Sequence, residues 1–201
     1  MTRSLGKEGD FFKDKKNASR SAVTPHADKG EAMGIITALA LVIGLMGGIA
    51  TAVAVQGAWI YFVIWITFVG WASFYAAGGG QEGLMKSAGA NVWGALVSII
   101  SLFIFGKLAA NMNIPLAAGL CVGVAIVVLI LGANIPALGF IPGQVFGYAP
   151  TAGLFLTSAA LYGSGDAGTH VKLFLASVIS LLIGNALGFI SEKAAGAVAK
   201  S

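Results

Sequence analysis

The stretch ALGFIPGQVFGYAPTAGLF, residues 137–155, places two prolines and four glycines in the middle of a long apolar segment. A proline in a helix interior removes a backbone hydrogen bond, and glycine is the next poorest helix former. This composition predicts a helix that is kinked or interrupted at Pro142 and Pro150. The consequence of such an interruption depends on the surrounding solvent, because an unpaired backbone group is far more costly in lipid than in water.

The composition of the whole chain indicates which solvent that is. Of the 201 residues, 57% are hydrophobic and only 10% are charged. A typical soluble domain contains about 25% charged residues. The mean hydropathy of the chain is +0.88. We therefore predict an all-α integral membrane protein, in which an interrupted helix is tolerated only where protein or a water-filled cavity surrounds it.

Six apolar segments follow one another from Met33 onward, and each approaches the roughly 20 residues that a helix needs to cross a bilayer. Their continuous runs lack the alternation of barrel strands, so six transmembrane helices are predicted. The segments are 33–55, 57–78, 88–107, 115–133, 136–162 and 171–191. The predicted organisation is a polar cytoplasmic tail over 1–32, a membrane domain over 33–193 and a short tail over 194–201.

The basic residues predict the orientation of the chain. Seven of the twelve lysines and arginines precede the first apolar segment. An even number of spans puts both termini on one side, and a cytoplasmic location for them leaves only Lys107 and Lys172 outside. This ten-to-two division follows the positive-inside rule, so both termini are predicted to be cytoplasmic. The lipid bilayer is thus an expected partner, whereas the net charge of +4 gives no reason to expect nucleic acid.

Two similar stretches indicate an internal duplication. Residues 96–102 read LVSIISL and residues 175–181 read LASVISL, in the third and sixth segments, and each follows a glycine-rich polar break. Two halves of three spans each, about 33–110 and 111–193, would insert with opposite orientations, as in the inverted repeats of many transporters. The alternative is chance similarity between apolar segments that contain serine.

Glycines in the fifth segment recur at intervals of four residues, which allows helices to approach closely. Tight packing is therefore one interpretation of the spacing. Their combination with prolines and with neutral polar residues instead favours a functional break that lines a pathway. The glycines with this spacing are Gly139, Gly143 and Gly147, and the same spacing occurs at Gly44/Gly48, Gly119/Gly123 and Gly184/Gly188.

Neutral residues are the candidates for a site, since every aspartate, glutamate, lysine and arginine after Met33 falls in a loop, in the C-terminal tail or at the end of a predicted span. Ionisable residues mark ion-coupled pathways, so their absence disfavours coupled transport. No catalytic constellation or set of metal ligands is visible, so we predict no enzyme, no metal and no cofactor. The candidate pathway residues are Gly79, Gly80, Asn91, Gly139, Pro142, Gly143, Gln144, Gly147, Pro150, Thr151 and Asn185.

The remaining polar residues are assigned simpler roles. The serines of the repeated stretches, Ser98, Ser101, Ser177 and Ser180, are expected to stabilise helix packing. His170 is expected to lie in a solvated loop, because glycines surround it in the sequence. Cys121 lies inside an apolar segment and is expected to be a small buried hydrophobic side chain.

Two stretches resemble a known family. WASFYAAGGGQEGLMKSAGANVWGALVS (71–98) and LGFIPGQVFGYAPT (138–151) are similar to the small bacterial inner-membrane proteins catalogued as domain of unknown function 1097. Gly83-Leu84 and Phe140-Ile141-Pro142-Gly143 hold the places of the family's two motifs. The resemblance covers about residues 36–191 and implies a compact six-span fold in a bacterial inner membrane. It implies no substrate.

Taken together, the sequence predicts a membrane channel or facilitator for a small neutral or weakly charged solute. Its pathway would lie where the two halves meet, lined by a broken fifth helix. The alternative is a non-catalytic accessory subunit of a larger membrane complex, docked through its N-terminal tail. The glycine faces are compatible with either a homo-oligomer or such a complex.

Overall fold

The structure, a computed structural model, describes residues 34–57, 61–162 and 167–199, without the side chains of 158–162. Every regular element in these residues is helical. The six α-helices are α1 (Ile35–Val55), α2 (Ile64–Ala76), α3 (Gly80–Ala109), α4 (Ile114–Leu131), α5 (Ile141–Tyr162) and α6 (Ala167–Val198). Two 3-10 turns, Gly132–Asn134 and Pro136–Leu138, connect α4 to α5. The predicted tail over 1–32 lies outside the described residues.

Within the described residues, four elements are long and apolar enough to cross a membrane: α1, α3, α6, and α4 together with the turn that follows it. Large apolar side chains cover their outer surfaces, including Leu45 on α1 and Val124 on α4, which are 68% and 63% exposed. In water such surfaces would be costly, whereas hydrocarbon tails solvate them. These helices indicate an integral membrane protein. α2, with 13 residues, is shorter than the other five.

The six predicted segments correspond to the six helices, but the boundaries of three helices differ from the prediction by seven or eight residues. α2 begins at Ile64 rather than at residue 57. α3 begins at Gly80 rather than at residue 88, and α6 continues to Val198 rather than ending near residue 191. The glycine-rich break before α3 is confined to a tight turn, in which Gly78, Gly79 and Gly80 all have positive φ. Polar residues beyond this turn are helical and lengthen α3.

The predicted interruption within the fifth segment was wrong. α5 runs continuously from Ile141 to Tyr162 and contains Pro150 in its interior. Pro142 is its second residue, where the missing N–H costs little because the first turn has no intrahelical acceptors for its donors. The chain departs from α-helical geometry earlier, between Leu131 and Ile141. Pro150 is buried by neighbouring helices, which is where a proline is tolerated in a membrane helix.

The four helices α2, α3, α5 and α6 form the centre of the bundle. α3 packs most extensively on α5, and α2 packs most extensively on α6. The two remaining helices are peripheral, α1 on α6 and α4 on α3. Exchanging α1 with α4, α2 with α5 and α3 with α6 leaves this pattern of neighbours unchanged. We call α2, α3, α5 and α6 the inner helices, and α1 and α4 the outer helices.

Candidate functional site

Glycines bring the backbones of α3 and α5 into direct contact. A Cβ atom added at Gly94 would overlap the carbonyl oxygen of Gln144, and one added at Gly147 would overlap the carbonyl oxygen of Asn91. Approach this close requires residues without a side chain. The structure therefore places Gly147 in a helix contact.

The contact between α2 and α6 repeats this arrangement. A Cβ atom at Gly184 would overlap the carbonyl oxygen of Thr67 and lie 2.7 Å from the amide nitrogen of Trp71. At Gly94 the corresponding distance to the amide nitrogen of Tyr148 is also 2.7 Å. In both contacts the glycine belongs to a long helix and its two backbone neighbours belong to a shorter one. The two interfaces are thus built on the same local geometry.

A serine on each long helix also pairs with an aromatic residue on the shorter one. The Nε1–H group of Trp71 donates to the hydroxyl of Ser191 across 3.0 Å. The hydroxyl groups of Ser101 and Tyr148 lie 3.2 Å apart. The sequence expectation that Ser101 stabilises helix packing agrees with this contact, and each bond adds a modest amount, about 0.6 kcal/mol on average between membrane helices.

Asn91 and Asn185 meet at the centre of the bundle. With the Asn91 amide oriented by its hydrogen-bond partners, its nitrogen donates to Ser73 Oγ at 2.9 Å and to the Gly143 carbonyl at 2.8 Å, and its oxygen accepts from Asn185 Nδ2 at 3.0 Å. The Ser87 hydroxyl donates to Asn185 Oδ1. We call Ser73, Ser87, Asn91 and Asn185 the amide cluster. It joins α2, α3 and α6 and, through Gly143, reaches α5.

The amide cluster is shielded from solvent and satisfied internally. Ser73, Ser87 and Asn91 are 0% exposed, and Asn185 is 1% exposed. A buried polar group that loses its partner costs about 1–3 kcal/mol. The network is therefore stable as it stands, and any molecule that separates the two asparagines must replace the hydrogen bonds that it breaks.

The amide cluster belongs to a longer band of small and polar residues that runs along α3 and α6, and whose members contact α5 and α2 as well as each other. On α3 the residues recur at intervals of three and four, so they share one face of that helix, and on α6 all but the adjacent pair Gly184 and Asn185 follow the same spacing. On α3 the band extends from Ser87 to Ser101, about 21 Å along the helix axis. We call this band the inner column. Its buried members are Ser87, Asn91, Gly94, Ser98 and Ser101 on α3 and Ser177, Ser180, Gly184, Asn185, Gly188 and Ser191 on α6.

Several buried polar atoms near the inner column have no hydrogen-bond partner in the described part of the chain. They are the hydroxyl oxygens of Ser98 and Ser177 and the amide oxygen Oε1 of Gln144. The Gln144 nitrogen donates to the Leu138 carbonyl at 2.8 Å, which leaves Oε1 as a buried acceptor. Native proteins contain few such atoms, and each calls for an explanation.

The structure brings some of the predicted pathway residues together and separates others. Asn91, Asn185 and the Gly143 carbonyl meet in the amide cluster, and Gln144 and Gly147 lie beside it in the contact of α3 with α5. Thr151 and Pro150 are buried farther along α5, where the Thr151 hydroxyl donates to the Gly147 carbonyl at 2.8 Å. At the start of α5, Gly139 and Pro142 are exposed.

Gly79 and Gly80 are also separate from the amide cluster. They form the turn before α3, about 16 Å from Asn91 along the helix axis. The Gly80 amide donates to a carboxylate oxygen of Glu192 at 2.8 Å. This carboxylate from α6 caps the start of α3, where the positive end of the helix dipole favours a negative charge.

Ser73 and Ser87 are members of the cluster that the sequence prediction missed. Ser87 precedes Asn91 by one helical turn, a spacing that could have placed both side chains on one face. No local signal identifies Ser73, because its position depends on how α2 packs against α3.

The prediction for His170 was wrong, and that for Cys121 was correct. His170 lies in α6, where it is 8% exposed, and its ring centroid lies 5.3 Å from that of Phe103 and 5.1 Å from that of Phe155. Gly168 does not delay the helix, which begins at Ala167. Cys121 is a free, buried thiol on α4. The described residues contain no group of three or more side chains suited to a metal ion.

Comparison with known proteins gives one match. The family model described as Protein of unknown function (DUF1097) matches residues 40–196, which include parts of all six helices. No curated protein and no solved structure matches the chain. The family resemblance inferred from residues 71–98 and 138–151 is thereby confirmed.

Proposed function

Since the chain belongs to the protein family of unknown function DUF1097, we propose its function from the geometry alone: a membrane channel or facilitator for a small uncharged solute. The observation that carries this proposal is the amide cluster. It is a neutral, fully buried set of hydrogen-bonding side chains at the point where the four inner helices meet. A lining of donors and acceptors without fixed charge is the kind of surface that sets selectivity in a narrow pore.

The extent of the inner column supports a pathway. The glycines of the column serve helix packing, but polar groups between membrane helices contribute little stability, about 0.6 kcal/mol each, so packing alone does not require the polar members of a band about 21 Å long. From Ser87 to Ser101 and from Ser177 to Ser191 the sequence contains no ionisable residue. An ion-coupled pathway would need such groups, so passive movement of an uncharged solute is favoured.

In this proposal the described conformation is the closed state. The backbone contacts of Gly94 and Gly147 leave no space between α3 and α5, and Asn91 and Asn185 are hydrogen-bonded to each other. Opening separates the two asparagines and hydrates the inner column. Because each hydrogen bond between membrane helices is weak, an open state only a few kcal/mol higher would be populated often enough for transport.

We further propose that the chain consists of two inverted three-helix repeats. The matched contacts of Gly94 and Gly184 support this, since Ser87, Gly94 and Ser101 recur as Ser177, Gly184 and Ser191 with identical spacing. The shorter helices agree, because FVGWA at 68–72 matches VFGYA at 145–149. This register differs from the one suggested by LVSIISL and LASVISL, which pairs Ser98 with Ser177.

Six membrane spans and cytoplasmic termini complete the proposal. Glu192 contacts the start of α3, so the start of α3 and the end of α6 lie at one end of the bundle, where Lys86 and Lys193 are located. Phe103 contacts His170 at the other end, which carries Lys107 and Lys172. This separation supports the proposed orientation, with the tail bases on the side of Lys86 and Lys193. A bacterial inner membrane is the proposed location.

The test is stopped-flow light scattering on proteoliposomes of the purified full chain. Gradients of water, glycerol, urea, acetamide, ammonium and formate are compared with empty liposomes. We expect at least one uncharged solute to be accelerated and both ions to be unaffected. Asn185→Leu removes both hydrogen-bonding groups of the amide at similar volume. It should slow the accelerated solute at least about fivefold, because losing one hydrogen bond to the solute costs about 1 kcal/mol.

The matched control is Asn111→Leu. Asn111 is exposed in the turn after α3, and its side-chain nitrogen donates to the Lys107 carbonyl near the end of that helix, at 3.1 Å. This variant should transport like the unmodified protein. If folded protein accelerates no uncharged solute, the facilitator proposal fails. The accessory-subunit function is then the alternative to test, by copurification of a membrane complex.

A further inference from the structure

We infer that the amide cluster is a binding station for a small planar amide or urea-type solute, a molecule that carries both a carbonyl acceptor and N–H donors. This inference rests on the proposed function and names its substrate class. It depends on three features of the site: the donor and acceptor groups of the cluster, the unpaired acceptors nearby, and the shape of the helix contacts.

The hydrogen bond between the asparagines defines what a solute must supply. Asn185 Nδ2 donates to Asn91 Oδ1 at 3.0 Å, so separating the two side chains leaves one donor and one acceptor buried without partners. A solute carbonyl can accept from Asn185, and a solute N–H group can donate to Asn91. A single amide solute therefore replaces the hydrogen bond between the two asparagines with two N–H···O=C hydrogen bonds, one to each asparagine. The other bonds of the cluster, to Ser73, Ser87 and Gly143, can remain in place.

Nearby unpaired atoms favour a solute that is rich in donors. Oε1 of Gln144 can only accept a hydrogen bond, and it has no partner in the described part of the chain. Gln144 directly follows Gly143, whose carbonyl accepts from Asn91. Ser98, with an unpaired hydroxyl oxygen, lies about 10 Å beyond Asn91 along α3. Urea and primary amides offer several N–H groups to such acceptors.

Helix geometry favours flat molecules. The backbones at Gly94 and Gly147 are in direct contact, so a small separation of α3 from α5 creates a slot rather than a wide pore. The hydrogen bond between Asn91 and Asn185 holds α3 equally close to α6, so the station itself also opens as a slot. A planar amide passes such a slot edge-on, whereas a tetrahedral polyol needs a larger separation at every step. Ions are disfavoured for another reason, because no charged group in the inner column compensates the loss of their hydration.

The experiment compares urea and acetamide with glycerol and water in the same proteoliposomes. We expect the unmodified protein and Asn111→Leu to accelerate urea and acetamide at least about tenfold more than glycerol, relative to empty liposomes. Asn185→Leu should reduce this preference by about tenfold. If the variant does not fold, Ser87→Ala removes only the hydroxyl that bonds to Asn185, and should reduce the preference severalfold.

Each other outcome overturns the inference in a distinguishable way. Acceleration of glycerol or water without acceleration of the amides would preserve the facilitator proposal and refute the amide class. An amide preference that persists in Asn185→Leu, or in a folded Ser87→Ala, would place the binding station elsewhere. If no solute is accelerated, both the proposed function and this inference fail.

Discussion

Glycine pairs four residues apart occur on both inner and outer helices, but their surroundings differ. On α5 and α6 they lie against another helix; a Cβ atom at Gly188, for example, would come within 2.6 Å of the Phe74 ring. The outer helices carry pairs with the same spacing, but no described atom lies within 4 Å of the Cβ positions there. These are Gly44 and Gly48 on α1 and Gly119 and Gly123 on α4. The spacing thus gives a helix face the capacity for close contact, and the neighbouring helix decides whether that capacity is used.

The largest predicted effect is at the inner glycines of α3 and α5. Gly94→Ala or Gly147→Ala should lower the free energy of unfolding by about 3 kcal/mol, the upper range for overpacking, because the added methyl meets backbone rather than a movable side chain. The measurement is the thermal unfolding midpoint in detergent. A change below about 1 kcal/mol would mean that α3 and α5 are not in backbone contact.

The corresponding substitution on α6 tests whether the two interfaces are equivalent. Gly184→Ala places its methyl against the Thr67 carbonyl and the Trp71 amide, in the geometry described for Gly94. We expect a loss of similar size, within about 1 kcal/mol of that for Gly94→Ala, since overpacking costs are set by local geometry. Parallel unfolding measurements decide this. A tolerated Gly184→Ala beside a disruptive Gly94→Ala would argue against two equivalent halves.

A smaller difference is expected for the aromatic–serine bonds of the same interfaces. Trp71→Phe removes the buried 3.0 Å bond to Ser191, which should cost about 1 kcal/mol, and the smaller ring leaves a cavity that adds to the loss. Tyr148→Phe should cost about 0.5 kcal/mol. Its bond to Ser101 is longer, at 3.2 Å. In both interfaces the serine keeps a bond to a carbonyl of its own helix, Ser101 to Ser98 at 2.7 Å and Ser191 to Gly188 at 2.8 Å. Unfolding measurements in detergent show which variant loses more free energy of unfolding. A larger loss for Tyr148→Phe would contradict these assignments.

The sequence predicted the helices better than their contacts. Hydropathy located six helical segments because a lipid-facing helix must be apolar over most of its length. The start of α3 and the end of α6 were missed because charged residues there, Glu82 and Lys86 on α3 and Glu192 and Lys193 on α6, lower the hydropathy without ending the helix. Pro142 was taken as a break, although in the first helical turn a proline loses no hydrogen bond.

The candidate site was predictable in part. Asn91 and Asn185 were identified as polar residues in apolar segments, a purely local signal. The contact between the two asparagines and the roles of Ser73 and Ser87 depend on how α2, α3 and α6 pack. This packing cannot be predicted from composition. For His170, the neighbouring glycines suggested a loop, whereas packing against Phe103 and Phe155 places the residue in a helix.

The smallest predicted effect is at the outer glycines. It tests whether glycines without a described neighbour tolerate a side chain. Gly123→Ala should leave transport unchanged and raise the free energy of unfolding by up to about 1 kcal/mol, since alanine is the better helix former and the methyl meets no described atom. Unfolding in detergent and the mass of the protein–detergent particle check this. A loss of more than about 1 kcal/mol, or a smaller particle, would mean that a second copy or another membrane protein packs on α4. The outer glycines would then also lie in helix contacts, formed with a second copy or another membrane protein rather than with a helix of the same chain.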